Sequence, residues 1–449
     1  MFWLSARLEW KNLRRDRVFW LTLGLFAGLV LFAAISSKRF IEREAQRQAD
    51  AVDAERARFE ELSSRLPEDT LRVGQELLPR VAQLPNTPLA PVSLGQREVL
   101  PQTVKLTTRP QTHEGASVDS VSAATGPFDL AFVLVFLLPL LVIGASFDLL
   151  SREREQGTLA LVLSQPVSLA TFMIGKAATR MAVLLGVTLM LTLGGALMSG
   201  ARFTGEQALT ALTLFVLIAL GYTLFWFALA LLVNAYGRSS AANALTLMVM
   251  WLGLVVVVPG LASVAVDTAA TGPSRTELVT ASRDAARETD QRLKQAEGNH
   301  GTAKRAPEDV LALEREFEAE IAPIVRAFNE RRRTEQHLID RLRFLSPALL
   351  VNEGLTDVSG SGASRQRHFA REVDRFHLEL RAFFEARLIE GKTLSAVDYA
   401  AMPQFRWVEP EAGPLVARVG GAVVVLKLTS LALLILAVRR LRRPILSVE

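Results

Sequence analysis

Residues 207–233 read QALTALTLFVLIALGYTLFWFALALLV and contain no Asp, Glu, Lys or Arg. An element of a water-soluble protein interleaves polar positions at its own period, because one of its faces meets water. Here no face is polar. As a helix the run is about 40 Å long at 1.5 Å per residue, more than the roughly 30 Å hydrocarbon core of a bilayer. The bilayer is therefore one of the solvents of this chain. A helix is the form that satisfies backbone hydrogen bonds within a single isolated span.

Working outward, residues 18–37, 128–149, 176–199, 243–266 and 415–438 have the same character, giving six predicted transmembrane helices. Composition agrees: half of the 449 residues are hydrophobic and mean hydropathy is +0.26, yet 22% are charged, and the charges fall between the apolar runs. The chain has no cysteine, which excludes disulfides, thiolate metal ligands and cysteine nucleophiles.

The net charge of +5 is unevenly spread. Segments 38–127 and 267–414 are slightly acidic, so the basic excess lies in the short segments beside the spans. This is an orientation signal and not a nucleic-acid footprint. Arg7, Lys11, Arg14, Arg15 and Arg17 precede the first span. Arg152, Arg154, Lys176 and Arg180 flank the second and third, Arg238 follows the fourth, and Arg439, Arg440, Arg442 and Arg443 end the last. With six crossings these positions fall on one side, which the positive-inside rule makes cytoplasmic, with both termini there. Lys38 and Arg39 run against the rule and are outvoted. Residues 1–37 also have the basic start and small residues of a signal peptide, but the apolar run is longer than a usual signal core and predicts an uncleaved anchor.

Residues 1–17 read as an amphipathic helix. Trp3, Ala6, Trp10 and Leu13 recur at spacings of three and four, with the basic residues off that stripe, as in a helix lying in the membrane interface. Segment 38–127 begins with a helix over 40–66, whose Ala45, Val52, Phe59 and Leu66 are seven apart. Gln48 and Glu55 at the matching positions argue against a free-standing coiled coil and for packing on the second polar segment. From Leu78 to Pro127 the prolines and Ser/Thr residues predict extended or irregular chain. Segment 267–414 is long enough for a helical domain, with helices expected at 275–297, 307–343 and 365–390. Phe369, Val373, Phe376, Leu380 and Phe383 mark one buried stripe, and Ser359 to Gly362 a turn or hinge.

No P-loop is present. Gly175-Lys176 invites the comparison, but Ala170 and Ala177 stand where the motif requires Gly and Ser/Thr. Lys427 lies near the middle of the last span, where a lysine costs about 2.5–3.5 kcal/mol on insertion scales and so should face protein or water. It reads either as a polar group on a translocation path or as a hydrogen-bond partner of a neighbouring helix, with Asn243 a candidate for that contact. Arg418 and Asp129, both near the outer ends of spans, are candidates to pair. Gly24 and Gly28 form a GxxxG that permits close helix packing. His368 and His377 are nine residues apart, about 900° of helix and hence on opposite faces, and do not make a joint metal site.

The segment 150–175 carries the most information. A charged turn, Ser151 to Gln156, breaks at Gly157 and is followed by an apolar stretch, with Pro166 and Ser168 opening the next element. A short helix charged at one end and apolar on one side suits docking into a groove of a soluble partner. A plain connector has the same composition.

The pattern Glu153, Glu155, Gly157-Thr158-Leu159, Leu163, Pro166, Ser168 and Gly175-Lys176 resembles the segment after the second span of ABC-2-type permeases. The resemblance implies that Arg152, Glu153, Arg154, Glu155, Gly157, Thr158, Leu159 and Pro166 belong to a coupling helix that contacts an ABC ATPase subunit. The stretches Leu345-Ser346-Pro347-Ala348, Glu353 to Asp357, Arg367-His368-Phe369 and Pro403-Gln404-Phe405 resemble a subfamily with a large extracytoplasmic domain before its last span. The expectation is an all-α membrane protein of the bacterial inner membrane. It has six transmembrane helices, an N-terminal interfacial helix, a cytoplasmic coupling helix, a helical extracytoplasmic domain and a cytoplasmic tail over 439–449. On this resemblance it is an export permease without catalytic residues of its own, binding no cofactor, with ATP and magnesium on the ATPase. Its other partners would be a second permease copy or a similar permease, membrane lipid and an extracytoplasmic accessory protein. The rival class is a non-transporting scaffold or mechanical transmitter acting through 38–127 and 267–414.

Overall fold

The computed structural model describes residues 2–66, 70, 73–78, 80–98, 102–108, 128–157, 169–236, 239–300 and 307–442. Among these residues five helices are long and apolar enough to cross a membrane: Arg17–Arg65, Phe172–Met198, Glu206–Asn234, Ser240–Ala269 and Ala412–Leu441. A sixth apolar helix, Leu130–Gly144, is shorter. The predicted second span over 128–149 thus contains a helix of about 22 Å at 1.5 Å per residue, followed by turns through residue 151.

The chain begins with α1 (Phe2–Arg15) and α2 (Arg17–Arg65), separated by one residue. That residue, Asp16, caps α2: its carboxylate accepts from the backbone N–H groups of Val18 and Phe19 at 3.0 and 3.1 Å, satisfying donors the first helical turn leaves open. The predicted first span and the predicted 40–66 helix are one continuous rod of about 73 Å. Its polar half packs through Glu44, Gln48 and Glu55 and, of the seven-residue apolar seam, through Phe59, whose ring meets Tyr399, while Ala45 and Leu66 are exposed. Glu55 pairs with Arg80 at 3.0 Å, Glu44 with Arg97 at 3.4 Å, and the backbone carbonyl of Gln48 accepts from the Gln83 side-chain amide at 2.6 Å. The buried charges and amides of the following loop select this face, because buried polar groups require partners.

That loop is not wholly irregular. Strands β1 (Arg80–Gln83) and β2 (Thr103–Leu106) pair antiparallel with Arg80 opposite Leu106, a small departure from an all-α chain. Ala82, Leu84, Val104 and Leu106 form one core with Phe369, Val373 and Phe376. The described parts of the polar segments 38–127 and 267–414 therefore share a core.

The short apolar helix α3 (Leu130–Gly144) contains a π-helical stretch, Val133–Leu137, just before Pro139. Proline has no N–H to give the carbonyl four residues back, which is that of Val135. The Tyr222 hydroxyl donates to this carbonyl at 2.9 Å, and the Trp251 indole N–H donates to that of Phe136 at 3.1 Å. Neighbouring helices thus take up the acceptors that the proline and the widened turn release, as a low-dielectric interior requires. After α4 (Arg152–Glu155) come α5 (Leu169–Met198), α6 (Glu206–Asn234) and α7 (Ser240–Ala269). The same device recurs in α7, where a π stretch over Leu252–Val257 precedes Pro259 and the Ser346 hydroxyl donates to the Leu254 carbonyl.

Helix α6 is the centre of the bundle, with Phe215, Tyr222, Trp226 and Phe227 buried against α3, α5 and the last helix. Beyond α7 the chain forms the antiparallel pair α8 (Arg275–His300) and α9 (Pro307–Leu342), then α10 (Pro347–Val358), α11 (Ala363–Ile389), α12 (Ala396–Ala401) and α13 (Ala412–Arg442). Helix α10 wedges between α6 and α13. Gly354 permits the approach, since a Cβ there would stand 2.5 Å from Ile218 Cδ1. The turn 359–362 is packed: Ser359 and Ser361 are fully buried and Gly360, at φ +69°, faces Thr87. It is a fixed corner and not a hinge. In α11 the buried stripe runs on through Phe384 to Leu388, while Phe383 is half-buried beneath the Arg387 guanidinium.

Arg418 does not pair with Asp129. It reaches Asp340, Glu353 and Asp357 at 2.8–2.9 Å, whereas Asp129 caps α3 and accepts from the Leu94 backbone at 2.8 Å.

Candidate coupling site

One pole of the bundle gathers both ends of the described chain. The end of α1, the start of α2, the turns after α3, α4, the start of α5, the α6–α7 junction and the end of α13 meet there, and Arg440 of α13 lies 5.5 Å from the Tyr236 ring. A network of charges and amides holds these pieces together.

Lys176 and Arg180 lie one turn apart on α5, both at most 5% exposed. Removing a charge from water costs several kcal/mol unless it is paired, and both are paired. Arg180 forms an ion pair with Glu9 of α1, and its other arm donates to Asp148 at 2.9 Å and to the Ala145 carbonyl at 2.7 Å. Lys176 pairs with Glu153 of α4 and lies 3.9 Å from Glu9. Arg152 bridges Asp148 and Asp16 at 3.5 and 3.6 Å.

Glu155 turns the other way. Its carboxylate accepts from the Ser240 backbone N–H at 2.7 Å and from the Ser240 hydroxyl at 2.8 Å, at the first turn of α7. These two hydrogen bonds, the backbone one foremost, hold the carboxyl below the usual carboxylate range. Ser151 joins the same hydroxyl at 2.7 Å. Asn234, buried at the end of α6, donates to the Ser146 and Ala230 carbonyls at 3.0 and 2.8 Å and accepts from the Leu150 N–H and the Asn243 amide at 3.3 Å.

Helix α4, a single turn, is thus tied to α5 through Glu153 and to α7 through Glu155, while Arg152, Arg154, Gln156 and Gly157 are exposed. Gly157 ends the turn at φ +68°, a left-handed conformation that glycine adopts without strain. Among the residues singled out from the sequence, Arg152, Glu153, Arg154, Glu155 and Gly157 share this surface. Thr158, Leu159 and Pro166 lie outside the described residues.

A family model described as ABC-2 family transporter protein matches residues 3–441. The chain belongs to the ABC-2 transporter family. No curated protein matches it. This ABC-2 chain is the membrane component of an ABC transporter, a permease subunit, and the family implies an ABC ATPase as its partner.

The structure does not bring Lys427 and Asn243 of the ABC-2 chain together. Asn243 donates to the Phe147 carbonyl at 3.3 Å, within the polar junction. Lys427 is exposed on α13 and has no hydrogen bond or ion pair among the described residues. Glu9, Asp16, Asn234 and Ser240 of the network escaped the sequence reading. Two carried a signal, since Glu9 is the only acid of α1 and Asn234 ends an otherwise apolar run. Ser240 carried none.

Proposed function

We propose that this permease subunit exports a substrate across the bacterial cytoplasmic membrane, driven by ATP and magnesium on a separate ABC ATPase that docks on the segment 150–175. The observation that carries this reading is the double tie of α4, Glu153 to Lys176 and Glu155 to Ser240. A push on one helical turn is delivered at once to α5 and α7, two helices long enough to cross the membrane. On this reading α3 is the sixth span, assisted by its flanking turns, and the basic ends of α1, α5 and α13 mark the cytoplasmic pole. The domain built from 38–127 and 267–414 is then extracytoplasmic, available to substrate or an accessory protein.

The subunit acts as a pair, with a second copy or a similar permease. Support comes from surfaces this chain leaves open: Cβ atoms added at Gly24 and Gly28 of α2 would meet nothing within 4 Å, and Lys427 is exposed on α13. Lys427 would then face the partner or the path between the two.

The test is to co-express the chain with its ABC ATPase and measure ATP hydrolysis in proteoliposomes. Replacing both Glu153 and Glu155 with Lys is expected to uncouple hydrolysis from the permease while assembly persists. Unchanged permease-stimulated hydrolysis would falsify the docking role. Protease shaving of intact spheroplasts tests orientation, which fails if 267–414 is cut only in inverted vesicles.

A mechanical transmitter is the second reading, favoured by the unbroken α2, which runs from the coupling pole into the polar domain. A helix-breaking Ala45→Pro that leaves transport intact but abolishes action on an extracytoplasmic partner would single it out.

A further inference from the structure

A groove of about 1030 Å³ lies between α1, the first turns of α2 and the middle of α5. Its floor is apolar, with Leu23 of α2 and Val187 of α5 in one packed cluster, and a Cβ at Gly186 would meet nothing within 4 Å. Its rim is of a different chemistry. Trp3, Trp10 and Trp20 line it and are each about half exposed or more, and Arg7 and Arg14 stand along α1 at the same edge. The two arginines are seven residues apart, hence on one side of the helix and about 10 Å from each other along its axis.

The balance of charge decides the occupant. Arg7 and Arg14 have no hydrogen bond or ion pair among the described residues. The acids nearest in sequence are committed elsewhere: Glu9 to Arg180 and Lys176, Asp16 to the α2 cap and Arg152. Two cations beside an apolar trough, with no protein anion to answer them, fit a molecule that joins an anionic head to a hydrocarbon tail. Tryptophans are the residues that sit at headgroup depth, with the ring against acyl chain and the indole N–H toward water.

We propose that this groove is a site for an anionic phospholipid, its acyl chain lying over the floor that Leu23 and Val187 help to form and its phosphate held by Arg7 and Arg14. A zwitterionic lipid leaves the two guanidinium charges unanswered and binds more weakly. The lipid holds α1 against α5 beside the Glu9–Arg180 pair, so the lipid composition of the membrane sets how firmly the interfacial helix is seated. The proposal requires only that the chain is a multi-pass membrane protein, so failure of the coupling reading would leave it standing.

The test is native mass spectrometry of the full chain purified in detergent, titrated with phosphatidylglycerol and with phosphatidylcholine. Phosphatidylglycerol is expected to remain bound under activation that strips phosphatidylcholine. In R7Q/R14Q its apparent affinity should fall at least tenfold, toward that of phosphatidylcholine. Gly186→Phe, which fills the trough from α5 and leaves both arginines in place, should displace the lipid as well. Equal retention of the two lipids overturns the proposal, as does an unchanged affinity in R7Q/R14Q. Competition by inorganic phosphate at equal concentration would show a phosphate site with no use for the tail, and loss of dimer in G186F without loss of lipid would show a contact between copies. Either overturns it. If R7Q/R14Q does not accumulate folded, G186F decides alone, and its keeping phosphatidylglycerol as the natural chain does is the refuting result.

Discussion

Glu9 of α1 and Arg180 of α5 stand 171 positions apart and share an ion pair that is almost closed to water. Each has one further charged neighbour, Asp148 at 2.9 Å from Arg180 and Lys176 at 3.9 Å from Glu9. An unpaired carboxylate or guanidinium at that depth would cost several kcal/mol, so the pair fixes where α1 lies on α5. Lys176 and Asp148 extend the contact to α4 and to the turn after α3.

Glu9→Ala is accordingly expected to destabilise the detergent-solubilised chain by about 3 kcal/mol. The double variant E9A/R180A should cost less than the sum of its singles, because the stranded guanidinium is removed with its partner. Denaturant unfolding of the four proteins of this cycle measures the coupling. Strict additivity would show the pair to be a bystander.

The hydroxyl of Tyr222 replaces a backbone donor that Pro139 lacks. Tyr222→Phe leaves the Val135 carbonyl unanswered in a buried site and should cost about 1–3 kcal/mol. In a Pro139→Ala background the new N–H can serve that carbonyl, so the penalty of Y222F should shrink. Thermal unfolding of both pairs checks the sign of the difference.

Gly157 closes α4 in the left-handed region with open space around its Cα. Gly157→Val therefore costs about 1–2 kcal/mol through backbone strain alone, and Gly157→Asn distinctly less. Because no contact is lost, the effect should be confined to the α4 turn, visible as faster amide exchange at residues 152–157 while the apolar helices remain unchanged.

Arg418 answers three acids at once, Asp340, Glu353 and Asp357. Burial raises the carboxyls of Glu353 and Asp357, and Arg418 opposes that rise. Arg418→Ala should destabilise the chain by about 3 kcal/mol near neutral pH and raise both carboxyls further. A carboxyl whose folded value exceeds its unfolded one loses stability as pH rises through the interval between them. The deficit of R418A should therefore be greatest above the raised values and shrink as the solution is acidified. Thermal unfolding across this range gives the slope, and a deficit that grows in acid contradicts the assignment.

The Glu155 carboxyl lies on the opposite side of its ordinary value, held down by Ser240. A depressed folded-state value gives a contribution that is complete above the unfolded value, about 4.3, and is lost as pH falls through the lower folded one. Coupling through α4 should thus be flat between about pH 6 and 8. Ser240→Ala should weaken it equally across that range, as read by permease-stimulated ATP hydrolysis.

The sequence by itself determined that the chain lives in a bilayer, because a run such as 207–233 has no face for water. It also marked where the basic ends lie and, through Gly157 and the charged turn before it, the segment proposed here to dock a partner. The ABC-2 pattern around Glu153 to Gly157 was legible for the same reason, being local. Periodicity failed where partners are distant. The seven-residue seam of α2 favoured Ala45 and Leu66, but Arg80, Gln83 and Arg97 of a later loop turned the Glu44–Gln48–Glu55 face inward.

Only the tertiary structure decided what each ionisable group does. Glu153 and Glu155 look alike in sequence, two residues apart in one charged turn. One meets Lys176 on α5 and the other meets Ser240 on α7, since alternate positions of a helical turn point to different sides. Arg418 likewise found α9 and α10 in place of Asp129, and Asn243 went to the α3–α4 turn, leaving Lys427 exposed. Hydrophobic runs are read from transfer free energy, residue by residue, so a sequence displays them. Pairings of buried charge depend on which helices become neighbours, and that is known only when the chain has packed.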